Sequence, residues 1–179
     1  STSFGSVAAR HALAQRDAAG VGLWVSYMGA PDAQDAILHV SGHVDILGNH
    51  RAGILNGPIT LAGCMVDADR FCADAVAIGA ATLEDSRRDL GAIDADVVWI
   101  VGENDAWMDP RRVDDVMSVD SRGKRDVMHF DGGHLPASGA VAAAHFQAIA
   151  SRIHRWIHAA PLPARPPLPS RLNAAAEPE

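Results

Sequence analysis

The chain has 179 residues, 48% of them apolar, which is enough for one core and cramped for two domains. Its 22 acidic residues against 15 basic ones leave a net charge of −7, with no basic cluster that could follow a phosphate backbone, so nucleic acid is not an expected partner. No apolar run approaches the roughly 18 to 20 residues that span a bilayer and no charged-then-apolar leader opens the chain, so a cytoplasmic protein without a membrane span is expected.

The chain opens on Ser1-Thr2-Ser3-Phe4-Gly5 without an initiator Met, as a chain cut inside a motif would. Residues 5–19 are Ala-rich, with Arg10 and Arg16 spaced as on an outer face, and predict a helix ended by Gly20. Val21 to Met28 is an apolar run of strand length, and Gly29-Ala30-Pro31 turns it into a short helix with Asp32 and Asp35 in the first turn. From Ser41 to Thr60, Gly42, Gly48, Gly53 and Gly57 interrupt every apolar run, which predicts loops and a small hairpin at most. Phe71, Ala75 and Ile78 recur at helical spacing within 67–78, and Thr82 suits the cap of a helix that follows.

Asp96-Val97-Val98-Trp99-Ile100-Val101-Gly102 is the clearest strand, apolar on both faces as in a parallel sheet, and it ends in Glu103-Asn104-Asp105. A helix over 110–118, a strand over 125–130 and a helix over 138–158 continue a β-α-β-α rhythm. The last helix carries Val141, Ala144, Ala148, Ile149, Ile153 and Trp156 as one stripe. Beyond it, residues 159–169 hold five of the ten prolines and 173–179 are small and polar, so 159–179 is expected to be a disordered tail. Residues 31–92 are expected to be a helical cap inserted over the sheet, within a partial α/β domain spanning 1–158.

Acyl transfer at serine needs a hydroxyl nucleophile, an imidazole that takes and returns its proton, and a carboxylate that orients the imidazole. Ser3-Phe4-Gly5 supplies the second half of the strand-to-helix turn G-x-S-x-G, with Ser1 in place of the first Gly. Asp105 stands just past the end of one strand, where an open α/β sheet presents functional groups. His134 follows the next strand within Gly132-Gly133-His134. Each has an ordinary alternative: Ser3 as a residue of no importance, Asp105 as a helix-start carboxylate beside Asp109, His134 as a surface loop histidine. Their chain order matches the catalytic arrangement.

Taken together, the pattern resembles the C-terminal part of an α/β-hydrolase, and more closely the acyl-carrier-protein thioesterase (acyl-transferase) family of bacterial bioluminescence. The residues that carry this are Ser3-Phe4-Gly5-Ser6 before an Ala-rich helix, Asn104-Asp105-Ala106-Trp107-Met108 before a helix containing Val113, Gly133-His134-Leu135 before the last helix, and the helical stretch from Asp67 to Leu90 with Phe71 and Cys72. The resemblance runs from Ser3 to about Trp156. It implies a mostly parallel sheet with a helical cap, a triad of Ser3, Asp105 and His134, an acyl thioester or ester as substrate, an acyl-carrier protein as a possible partner, and neither metal nor organic cofactor. The strands that precede the nucleophile in that family, with one of its oxyanion donors, are not in this sequence, which leaves the backbone N–H of Phe4 for that hole.

Trp107 is a candidate for lining an acyl pocket, with simple packing as its alternative. His39, His43 and His50 lack a metal-ligand pattern and are expected to be structural or exposed, and Cys64 and Cys72 to be reduced core thiols. Trp24, Trp99 and Trp156 fit core positions. Against the thioesterase reading stand a non-catalytic module of the same fold that binds a hydrophobic ligand or a carrier protein, and a different ester hydrolase.

Overall fold

The computed structural model describes residues 1–15, 20–61 and 63–158 of this α/β protein; the expected tail at 159–179 lies outside them. The chain order is α1 (Gly5–Gln15), β1 (Leu23–Tyr27), α2 (Ala33–Val40), α3 (Ile46–Arg51), β2 (Pro58–Leu61), β3 (Cys64–Asp67), α4 (Ala68–Ala77), α5 (Leu83–Ala92), β4 (Asp96–Gly102), α6 (Pro110–Met117), β5 (Arg125–Phe130) and α7 (Gly139–His158). Two compact units divide after Ser138. The second holds α7, on which His145 and Ile149 are buried and Ala144, expected in its apolar stripe, is exposed.

The first unit is built on a three-stranded sheet in the order β1-β4-β5, parallel throughout. All seven residues of the central strand β4 are buried, which is why its sequence is a continuous apolar run rather than an alternation. Val97, Trp99 and Val101 project to one face and join Leu90 of α5 and Val113 and Val116 of α6 in one core, with Ala9 and Leu13 of α1 against it. Trp24 meets Trp99 edge to face, their ring centroids 5.5 Å apart. Arg125, at the start of β5, donates to the carbonyls of Leu90, Ile93 and Ala95 and so satisfies the end of α5. The start of α5 is closed by the capping box of Thr82 and Asp85.

A second core gathers Ala33, Ala36 and Ile37 of α2, Ile46 and Leu47 of α3, and Ala68, Cys72 and Ala75 of α4, with Ile59 and Phe71 against it. The strands β2 and β3 pair with each other, antiparallel, and among the described residues of 31–92 no strand enters the parallel sheet. Within 83–92, α5 buries Leu90 in the core of the sheet. The glycine-interrupted stretch also holds a helix that periodicity did not reveal. Its six residues, α3, are started by Asp45, whose carboxylate accepts the Gly48 N–H at 2.8 Å. Cys64 is exposed on the hairpin, contrary to the core position expected for it, while Cys72 is buried. No helix among the described residues is long and apolar enough to cross a membrane.

Asp69, in the first turn of α4, ties the hairpin side of this lobe together. Its carboxylate accepts the backbone N–H groups of Asn56 and Gly57, each at 2.9 Å. These bonds to Asn56 and Gly57 hold the Asp69 carboxyl below its ordinary range. A depressed folded-state value stabilises above the unfolded value of about 3.9 and is lost as pH falls through the folded one. The difference in Tm between the wild type and Asp69→Asn should therefore be widest above about pH 5 and close progressively below about pH 4, read by thermal melts across that range.

Candidate active site

Ser1 to Ser3 run beside β1 in parallel. The Ser1 nitrogen donates to Val25 O at 2.9 Å, Tyr27 N–H to Ser1 O at 2.9 Å, and Ser3 N–H to Tyr27 O at 3.2 Å. The chain then turns at once into α1, with the Ser6 N–H on Ser3 O at 3.0 Å. This abrupt change requires Ser3 to adopt φ 47°, the left-handed region that L side chains rarely occupy. Underneath the turn lies a line of hydroxyls. Ser26 Oγ donates to Ser6 Oγ (2.9 Å), Ser6 Oγ lies 3.0 Å from Ser1 Oγ, and Ser1 Oγ accepts the Trp24 indole N–H at 3.0 Å. The Trp99 indole N–H reaches Gly29 O at 3.1 Å. Both core tryptophans thus direct their polar edge at the segments that hold Ser3, and Ser1 accepts one of those bonds.

Asp105 lies three residues past the end of β4 and His134 four past the end of β5, on neighbouring parallel strands, so both loops open at one edge of the sheet. His134 Nδ1 is 2.8 Å from Asp105 Oδ2, and His134 Nε2 is 3.0 Å from Ser3 Oγ. The second carboxylate oxygen of Asp105 accepts the Trp107 N–H at 2.8 Å. Asp105 and His134 are buried, at 7% and 8% exposure. The three residues singled out from the sequence therefore form one hydrogen-bonded line. In that line a carboxylate fixes Nδ1–H, leaving Nε2 as the acceptor for the serine hydroxyl proton. The Phe4 N–H, ahead of the first turn of α1, meets no acceptor among the described residues.

Asp109, the other acid of this loop, is otherwise engaged. It caps α6 and pairs with the Arg111 guanidinium through both oxygens (3.0 and 2.9 Å), an interaction that holds its carboxyl below the usual range. Its backbone N–H donates to Asp35 Oδ2 on α2 at 2.8 Å. Asp32, the N-cap of α2, is wholly buried and accepts from Arg112 at 2.9 and 2.8 Å. Burial pushes the Asp32 carboxyl above its ordinary value even though the Asp35 N–H and Arg112 pull the other way.

Beside Ser3 and His134 lies an apolar cavity of about 290 Å³, with Ile37, Val40, Leu61, Val66, Phe71 and Met108 in its walls. Trp107 also reaches it. The cavity residues from α2, α4 and the hairpin carry no signal in the sequence beyond ordinary apolar periodicity, and neither does the hydroxyl line of Ser1, Ser6 and Ser26. Among the described residues no group of three or more His, Cys, Asp or Glu is gathered as metal ligands would be.

The loop bearing His134 passes very close to the end of β4. A Cβ built on Gly102 would stand 2.6 Å from Gly132 O and 2.7 Å from Gly133 O, both backbone atoms. Gly102→Ala should therefore displace the loop, break the contact between Ser3 and His134, and lower stability by about 1–3 kcal/mol, measured by urea unfolding together with a structure of the variant. Comparison with protein-family models gives no match to the chain, and no curated protein matches it.

Proposed function

We propose that this protein is a serine-dependent acyl hydrolase or acyltransferase of the α/β-hydrolase type, acting on fatty acyl thioesters of a carrier protein or coenzyme A. The observation that carries the reading is the unbroken line from Ser3 Oγ through both nitrogens of His134 to Asp105, with bonds of 3.0 and 2.8 Å. Support for the fold comes from the parallel sheet, the strand-to-helix turn at Ser3, and an acid and a histidine at neighbouring strand ends. The apolar cavity next to the hydroxyl favours a hydrocarbon chain over a charged substrate.

In this mechanism Ser3 Oγ attacks the thioester carbonyl as His134 Nε2 removes its proton, and Asp105 stabilises the imidazolium that forms. The Phe4 N–H, at the positive end of α1, donates to the developing oxyanion. Collapse of the tetrahedral adduct breaks the carbon–sulfur bond, and His134 returns the proton to the departing thiolate. Water or an alcohol, deprotonated by the same imidazole, then releases the acyl group from Ser3. Trp107 and Met108 help to hold the acyl chain.

A serine-directed fluorophosphonate should label Ser3, and Ser3→Ala should abolish both labelling and thioester cleavage. An unlabelled wild type would leave a hydrophobic-ligand binding module of the same architecture. Asp105→Asn keeps the shape but favours the wrong imidazole tautomer, so turnover should fall by about 10³–10⁴-fold with little change in acyl substrate binding. Asp109→Asn retains a capping side chain and should turn over nearly as wild type, as measured by thiol release.

A further inference from the structure

Trp107 touches both members of the pair that activates Ser3. Its indole is stacked on the His134 imidazole, with centroids 4.6 Å apart and planes inclined by 17°. Its backbone N–H holds the Asp105 oxygen that His134 does not use. The backbone that carries the ring is held at two points, by Asp105 at residue 107 and by Asp35 at residue 109. Yet 42% of Trp107 remains exposed, so burial of apolar surface does not account for a tryptophan here.

The face of an indole is electron-rich and attracts a cation far more than a neutral ring. A general base is neutral before it takes a proton, so in this mechanism His134 becomes cationic once it holds the Ser3 proton. A stacked indole therefore favours the state in which the proton has been transferred, acting over the ring face while Asp105 acts in the ring plane. We propose that Trp107, besides lining the cavity, is a positioning residue that holds the His134 ring and stabilises its imidazolium during attack by Ser3. This rests on the acyl-transfer reading of Ser3, His134 and Asp105.

The test uses an alkyl fluorophosphonate, with which Ser3 Oγ forms a bond to phosphorus, fluoride leaves, and His134 takes the hydroxyl proton. Saturation kinetics separate the maximal inactivation rate from the concentration for half-saturation, the counterparts of kcat and KM. Trp107→Leu keeps an apolar wall and the backbone N–H but removes the π face; its maximal rate should fall about 5- to 30-fold, with half-saturation changed less than about 3-fold. Trp107→Phe should recover the rate to within about 3-fold of wild type. Thermal melts of both variants confirm that they are folded. A Leu variant as fast as wild type, a Phe variant as slow as Leu, or a loss confined to half-saturation would each overturn the role assigned to Trp107 while leaving Ser3 as nucleophile. A wild type that does not label at Ser3 would overturn both.

Discussion

Two backbone carbonyls pass within 2.7 Å of where a side chain at Gly102 would begin, and this closeness is the constraint on which the site depends. Parallel pairing sets Gly102 level with Phe130, so that the loops leaving β4 and β5 start from the same edge at the same height. The absence of a side chain at Gly102 then lets the second loop fold across the end of the first strand. Only from that position does a histidine four residues past β5 bond the aspartate three residues past β4. Ser3 is brought to the same edge by a third parallel segment, held against β1 by backbone bonds. Three short stretches far apart in the chain are thus brought level by register, and the hydrogen bonds among Ser3, His134 and Asp105 close across them.

Much of this framework was legible in the amino-acid sequence because the signals were local and strong. A run such as Val97 to Val101 has few readings other than a buried strand, and Pro110 after Asp109 marks a helix start almost by itself. The candidate residues could be named because strand ends, glycines and chain order constrain where a serine, an acid and a histidine fall. What escaped were features created by packing. Six-residue α3 is too short to show a period, and its start depends on the Asp45 cap. Cys64 looked like a core thiol from its neighbours, but the β2–β3 hairpin carries it on an outer edge. The stacking of Trp107 on His134 and the engagement of Ser1 with Trp24 each join residues more than twenty positions apart, which periodicity cannot reveal.

Charged residues link the lobe of α2–α4 to the loop that carries the acid. Arg112 of α6 is held by Asp32, and the Asp109 N–H by Asp35, so both ties run from the first turn of α2 to the first turn of α6. The wall formed by Ile37 and Val40 is on the same helix. One helix thus supplies part of the cavity wall and, from its first turn, two ties to the start of α6.

The backbone at Ser3 carries a further consequence. A non-glycine residue at φ 47° costs about 1–2 kcal/mol relative to an unstrained one, and glycine would relieve most of it. The sequence retains there a side chain whose one polar atom is a hydroxyl directed at an imidazole. For conformational stability alone, that is the wrong residue. The turn therefore sets two demands against each other, and a screen for thermostable variants of this protein would tend to select glycine at position 3 and lose the hydroxyl that faces His134.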